Sequence, residues 1–304
     1  MAGKLDDLSK ELASVVERSA PSVVRVDGRR RASASGVVWS AEGVVATANH
    51  SLEWDEGIEV ALPDTKSVPA EVIGRDPTTD LALLRVSASG LPTLQWADPD
   101  GLKTGHLVIG VARPGRAVRA SLGVLSVVAG SWRTPWGGQL DGYLETGLAR
   151  HPGFSGSLLA DGAGRAIGLN TSGLLRGVTL AVAPPTLRRV FARLLEHGEI
   201  RRGFLGIGTY PVRLPAALAQ QLGQSAGLLI VSVEPDSPAA QAGLLQGDVL
   251  VALDGRGLGH AGDLLPLLDE DRIGAEAAAR IVRAGELREA RVTIGSRARA
   301  RPSA

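Results

Sequence analysis

Short apolar runs dominate the chain from residue 22 onward, and their length and spacing predict strands rather than helices. Val23–Val26, Gly36–Trp39, Val44–Thr47, Ile58–Leu62, Leu81–Val86, Leu107–Val111, Leu122–Val128 and Ala166–Asn170 are separated by Gly, Pro, Asp and Ser. With no long helical pattern between them, these runs point to a sandwich or barrels and not to a doubly wound sheet. Ahead of them Leu5, Leu8, Leu12, Val15 and Val16 recur at helical spacing until Pro21, which predicts an amphipathic helix over residues 1–20. A second helical pattern, Leu187, Val190, Phe191, Leu194 and Leu195, follows Pro184 and Pro185 and ends near Gly198. That helix marks a boundary. Residues 21–198 read as one strand-rich domain, 199–295 as a smaller mixed module, and the basic stretch 296–304, which lacks apolar content, as a disordered tail.

Composition narrows the chemistry. The 304 residues give room for two cores. The 33 Lys and Arg nearly cancel the 32 Asp and Glu, so no overall field argues for nucleic acid, and the expected partner is a protein or peptide. The chain holds no cysteine, which removes disulfides, thiolate metal sites and a cysteine nucleophile together. Nucleophilic chemistry is left to Ser, Thr, Lys or a carboxylate. No run approaches the roughly 20 apolar residues of a membrane helix, so no transmembrane segment is expected. The first residues carry acids and lysines and no run of signal-peptide length, which predicts a cytoplasmic location for the chain as written, or an extracytoplasmic one if it has been trimmed.

Three segments stand out together. An apolar strand ends at Ala46-Thr47-Ala48-Asn49-His50; Asp80 sits directly before the apolar run Leu81-Ala82-Leu83-Leu84; and Ser155 is flanked by glycines in Pro152-Gly153-Phe154-Ser155-Gly156-Ser157. Singly, each has an ordinary explanation: a packed or solvent-facing histidine, an acid at a strand entry, a turn. Jointly they supply what acyl transfer needs, a hydroxyl, an imidazole to take its proton and a carboxylate to orient the imidazole. The order His, Asp, Ser is that of chymotrypsin-like proteases; subtilisins run Asp, His, Ser and α/β-hydrolases Ser, acid, His. A turn in which the N–H groups of Gly153 and Ser155 form an oxyanion hole also needs a residue without a side chain at 153.

The same residues carry a family resemblance. TANHSL resembles the TNNHVV segment around the histidine of HtrA/Deg proteases, DPTTDLALL their aspartate segment, and HPGFSGSLL their NPGNSGGPL. The connectors LKTGHLVIGVARP, RASLGVLSVV and AIGLNTSG also match, so the similarity covers most of residues 21–200. It implies a mainly β, chymotrypsin-like double β-barrel and a serine endopeptidase for unfolded or damaged proteins, with Ser155 as nucleophile, His50 as base then acid and Asp80 as orienter, needing no cofactor and no metal. Departures fall around the nucleophile: Phe154 stands for Asn, Ser157 for Gly, Leu158 for Pro, and Gly147-Leu148-Ala149-Arg150 for Asp-Ala-Ala-Ile. The competing expectation is a weak or inactive relative that serves as a peptide-binding, chaperone-like scaffold. If the resemblance holds, Ala149 lies at the floor of the specificity pocket and Leu180 and Val182 along a wall, predicting cleavage after small aliphatic residues; Leu180 and Val182 fit a barrel core nearly as well. The family also implies a homotrimer, although the amino-terminal helix could as easily pack on its own barrel.

In the module, Arg202-Gly203-Phe204-Leu205-Gly206-Ile207 resembles the X-Φ-G-Φ loop of PDZ domains, and Leu228–Val233, Pro235–Ala239, Gly247–Gly255 and Ile281–Gly285 follow the same pattern. The resemblance implies a small mixed α/β PDZ domain that binds peptide C-termini through Phe204, Leu205, Gly206 and Ile207, with Leu264 and Leu268 of a helix starting near Ala261 lining the groove. Arg201 and Arg202 either attract the carboxylate or are merely solvated.

Overall fold

The computed structural model describes residues 2–30, 32–63, 67–200 and 202–296, and it divides into two compact units between Ile200 and Arg201. The stretch from 297 onward, where the sequence predicts a tail, lies outside the described residues, as does Arg201.

The first unit opens with helix α1, Ala2–Ser19. Six strands follow: β1 Val23–Asp27, β2 Ala34–Ser40, β3 Val44–Ala48, β4 Ile58–Ala61, β5 Ser67–Asp76 and β6 Leu81–Val86. They close into an antiparallel barrel in the order β1-β2-β3-β6-β5-β4, with β1 returning to β4. After β7 Leu107–Ala112 and β8 Arg119–Ala129 comes a hairpin of β9 Trp132–Arg133 and β10 Gln139–Leu140. Then β11 Tyr143–Thr146, β12 Leu158–Asp161, β13 Ala166–Thr171 and β14 Thr179–Val182 complete a second closed barrel, β11-β14-β13-β12-β7-β8. Helix α2, Pro184–His197, ends the unit at Gly198, whose φ of 73° is the left-handed cap conformation that glycine adopts at no steric cost.

Three apolar clusters explain why these strands curl twice. Val24, Val38, Val45, Val60 and Leu84 fill the first barrel, and Val108, Leu125, Leu144, Leu159 and Ile167 fill the second. Strand residues of alternate parity, among them Val37, Leu81, Leu83, Ile109, Leu158 and Val182, form the cluster shared by the two barrels. The strands carry apolar residues on both faces because one faces the barrel interior and the other this shared core. The same cluster receives Leu187, Val190, Phe191 and Leu194 of α2 and Val15 of α1. Phe191 meets Trp39 edge-on with centroids 4.8 Å apart. Only the distal half of α1 is so anchored; Leu5 and Leu8 are exposed.

The second unit contains β15 Gly203–Phe204, β16 Ile207–Arg213, α3 Ala216–Leu222, β17 Ala226–Val233, α4 Pro238–Gln241, β18 Val249–Leu253, β19 Arg256–Gly257, α5 Ala261–Leu264, β20 Glu276–Arg283, β21 Glu286–Thr293 and β22 Gly295–Ser296. Its main sheet runs β16-β17-β18-β20-β21, which leaves β16 at an edge. Leu228, Ile230, Leu250, Leu253, Ile281 and Val292 form its own core. Beside that core Arg283 grips the buried Asp248 with two 2.7 Å hydrogen bonds. Burial works to raise the Asp248 carboxyl, but the Arg283 fork and the Leu245 amide outweigh it and hold the group below the ordinary carboxylate range.

Phe191 fills the joint between α2 and both barrels, so Phe191→Ala is expected to cost the first unit about 3–5 kcal/mol. Urea unfolding followed by tryptophan fluorescence reads this directly, and a loss below about 1 kcal/mol would show that α2 is dispensable to the core.

Candidate active site

His50 and Asp80 are delivered by the ends of adjacent strands. His50 follows β3 in a single 3-10 turn, Asn49–Ser51. Asp80 closes the turn between β5 and β6, which Asp76 holds by accepting hydrogen bonds from Thr78 N at 3.0 Å, Thr78 Oγ1 at 2.5 Å and Thr79 Oγ1 at 2.6 Å. The turn leaves Asp80 at φ 58°, a left-handed backbone that aspartate tolerates better than most residues. Its buried carboxylate accepts from His50 N at 2.8 Å, His50 Nδ1 at 2.7 Å and Thr171 Oγ1. An ionised acid out of water needs such donors, and this set assigns the imidazole proton to Nδ1. Nε2 is thereby left as the free acceptor of a ring that is about one third exposed, 32%.

Ser155 lies in the β11–β12 loop, brought to the same cavity as His50. Its Oγ is hydrogen-bonded to Ser172 Oγ at 3.1 Å, and among the described residues no hydrogen bond joins it to His50. The loop around it is fixed by glycines and by strand β2 of the other barrel. Gly153 has φ 82°, and a Cβ there would lie 2.3 Å from Pro114 Cβ and 2.7 Å from Ser33 O. A Cβ on Gly156 would lie 2.1 Å from Ser35 O. Ser35 donates from N to Ser155 O at 3.2 Å and from Oγ to Gly153 O at 2.7 Å, while Arg113 N donates to Ser35 Oγ at 2.9 Å.

The amides of this loop sort into two sets. Phe154 N donates to His151 O, Gly156 N to Asn170 O and Ser157 N to Phe154 O. Pro152 and Gly153 thus form the centre of a turn in which a positive φ at the second position marks the type II form. Among the described residues the N–H groups of Gly153 and Ser155 make no hydrogen bond, and both residues line the cavity. Two free amides beside a hydroxyl are what a developing oxyanion requires.

Two of the departures around Ser155 are absorbed by packing. Phe154 is buried against His151, ring centroids 5.3 Å apart. Ser157 is fully buried, and its Oγ accepts from Asn170 Nδ2 at 3.0 Å. Arg150 is exposed at the cavity mouth.

The cavity measures about 380 Å³ and is lined by Ala149, Leu148 and Thr179 as well as by His50 and Ser155. Leu180 and Val182 do not line it, which corrects the expectation for one wall. Both are buried in the core shared by the barrels, because alternation along β14 turns them away from the face that carries Thr179. Arg29 also lines the cavity, and Thr171 and Ser172 supply polar contacts within it. None of these three was singled out by the sequence, although Thr171 and Ser172 lie inside the matching segment AIGLNTSG.

Residues 34–169 match the model of the trypsin-like peptidase domain, and residues 203–294 that of the PDZ domain. The solved structure described as HtrA-type protease AlgW with tripeptide is 31% identical, superposes with a TM-score of 0.71, and is matched over 94% of this chain and 97% of its own. The chain belongs to the HtrA family of trypsin-like serine proteases. Another solved structure, the serine endoprotease from Yersinia pestis, is 26% identical with a TM-score of 0.73, covering 94% of this chain and 98% of that one. By sequence, proteins named probable periplasmic serine endoprotease DegP-like are 32% identical: in Marinomonas sp. (strain MWYL1) over 89% of this chain and 58% of the relative, and in Chlamydia pneumoniae over 86% and 54%. The chain thus spans less than two thirds of the length of these relatives. Their names overturn the expectation of a cytoplasmic location, since HtrA relatives named periplasmic point outside the cytoplasm.

In the PDZ unit, Gly206 has φ 79° and a Cβ there would lie 2.2 Å from Ser237 Cβ, so the loop before β16 needs its glycine. Phe204 pairs with Gly295. Leu205 and Leu264 are buried in the core of the unit, while Ile207 and Leu268 are half-buried against it. Helix α5 is short, starts from a capping box between His260 and Asp263, and passes into a 3-10 turn over Leu265–Leu268. Arg202 lies 3.9 Å from Asp269, which makes it part of an ion pair and not a free cation.

Removing the Ser172 hydroxyl frees Ser155 Oγ to turn toward His50 Nε2. Ser172→Ala is therefore expected to raise the rate of fluorophosphonate labelling by about fivefold, the population shift that one neutral hydrogen bond of about 1 kcal/mol holds back. Labelling at the parental rate or slower would show that the Ser172 contact does not restrain the nucleophile.

Proposed function

We propose that this chain is a serine endopeptidase that hydrolyses peptide bonds of unfolded or damaged proteins, with a protease domain over residues 21–198 and a PDZ domain over 199–295. The observation that carries this reading is the row from Asp80 through His50 to the cavity that also holds Ser155, beside the two unpartnered amides of Gly153 and Ser155. His50 Nε2 takes the proton of Ser155 Oγ as the oxygen attacks a peptide carbonyl; the imidazolium so formed is stabilised by Asp80 and returns the proton to the leaving amine. The amides at 153 and 155 receive the charge on the carbonyl oxygen, a contribution of about 3 kcal/mol for each donor. Ala149 at the cavity, where an acid would select basic residues, favours cleavage after small aliphatic side chains. Water completes the reaction, with no metal or cofactor called for. Assembly as a homotrimer is proposed from the family alone.

For the PDZ domain, the open edge of β16 supports capture of a peptide as an added strand, with the Phe204–Ile207 loop receiving a free C-terminal carboxylate and Ile207 and Leu268 offering the accessible apolar surface. The second reading, a peptide-binding scaffold of low activity, draws on the Ser155–Ser172 hydrogen bond, which leaves the nucleophile unengaged.

Fluorophosphonate labelling decides between the two. The peptidase is expected to label, and Ser155→Ala to lose labelling and casein hydrolysis by a factor of at least about 1,000; a chain that never labels, with or without bound peptide, favours the scaffold. Titration of the PDZ domain with one peptide in two forms tests the carboxylate loop: the free C-terminus is expected to bind about tenfold tighter than the amide, and equal affinities would remove that role.

A further inference from the structure

The lining of the catalytic cavity has a charge pattern that the triad does not use. Besides His50, three of its residues, Arg29, Arg150 and His151, are of basic type, and none of its lining residues is acidic. The carboxylate that orients His50, Asp80, is buried and committed to His50 and Thr171. The chain as a whole carries a formal charge of only +1, so the excess is local and not a consequence of composition. The two arginines are also uncommitted. Arg29 donates from Nη2 to Ser51 Oγ at 3.1 Å, while its Nε is buried with no hydrogen-bond partner among the described residues. Neither Arg29 nor Arg150 forms an ion pair with any described residue, whereas Arg25, Arg75, Arg165, Arg188 and Arg189 of the same unit each do. A guanidinium that lines a concave site with no acid paired to it attracts a carboxylate.

Their positions give the contact a direction. Ser51 is the residue after His50, so Arg29 approaches the site from the first barrel. Arg150 follows Ala149 and approaches from the second. A substrate strand lying across Ser155 therefore passes between two cations, neither paired with an acid among the described residues, although Glu53 accepts from Arg30 N at 3.4 Å beside the first. We propose that Arg29 and Arg150 make this a peptidase for acidic sequence, selecting a glutamate or aspartate side chain within about three residues of the scissile bond but not at the residue cleaved after, which Ala149 leaves to small aliphatic side chains; the inference rests on the peptidase reading given above. Basic flanking residues are disfavoured by the same charges, which adds a repulsive element to the selectivity.

The test uses matched peptides that differ by Glu against Gln at each position from three residues before to three residues after one cleavage site. In the full chain at low salt, the kcat/KM ratio of the Glu to the Gln peptide is expected to exceed about threefold at one or more positions and to fall toward unity at high salt. Arg29→Gln and Arg150→Gln should each lower the ratio, and the double variant should abolish it. Because the ratio is internal to each variant, a general loss of activity does not imitate the effect. Fluorescence anisotropy of the same peptides on the Ser155→Ala chain reads the preference without catalysis. If the parent hydrolyses nothing, the peptidase reading falls while tighter binding of the Glu peptide still supports the charged cleft. Equal treatment of Glu and Gln by the parent, or a preference that survives in the double variant, overturns the proposal.

Discussion

A carboxylate out of water must be met by donors, and the donors that meet Asp80 come from both barrels. His50 N and Nδ1 belong to the end of β3 in the first, and Thr171 Oγ1 to the end of β13 in the second. Removing either side would strand a buried charge at a cost of several kcal/mol, so the acid acts as a polar rivet across a seam that is otherwise apolar. Its own left-handed backbone is the local expense of aiming the side chain back at the imidazole. Everything that follows chemically, the tautomer of His50 and the orientation of its free nitrogen, depends on that one satisfied group.

A second seam runs parallel to it and holds the loop around Ser155. Ser35 in β2 holds the carbonyls of Gly153 and Ser155, and Arg113 N holds Ser35 in turn. Ser35 holds the carbonyls of 153 and 155, the amides of 154 and 157 are used within the loop and that of 156 by Asn170 O, and among the described residues the amides of 153 and 155 make no hydrogen bond. The glycines at 153 and 156 are needed because the loop packs within van der Waals distance of Pro114 and Ser35, not merely because it turns. Chemistry and packing here are the same constraint seen from two sides.

Much of this was legible in the sequence, and the exceptions have physical causes. The strands beginning at Val23, Val44 and Leu81 announce themselves because most positions on both of their faces are buried and apolar, with Arg25, Thr47 and Arg85 breaking the runs. Strand β5 hides because Pro69 interrupts it, tolerable where it pairs opposite Glu59. His50, Asp80 and Ser155 were visible through order and local motif, whereas Leu180 and Val182 were placed on the wrong surface: an apolar alternation shows that two faces exist, not which one meets the cavity. Arg29 left no signal at all, since an arginine in a basic loop looks solvated until the fold sets it beside Ser51. Ser172 was likewise silent, for its role is a contact between hydroxyls from different loops.

The resting arrangement of Ser155 bears on how such a site is controlled. On the peptidase reading proposed above, the buried acid is paired, the imidazole is oriented, and Gly153 and Ser155, whose amides make no hydrogen bond among the described residues, line the cavity. What is missing is a hydrogen bond between two side chains, and the alternative that replaces it is one neutral contact between hydroxyls at 3.1 Å. A serine moves between staggered rotamers without disturbing its backbone, and the contact it gives up is worth about 1 kcal/mol. A bias of that size holds the nucleophile back by about fivefold, which the approach of a substrate carbonyl to the two free amides can reverse. Rebuilding a collapsed loop would demand far more. On the proposed reading, engaging Ser155 with His50 thus asks for one side-chain rotation, with the Asp80–His50 pair already formed.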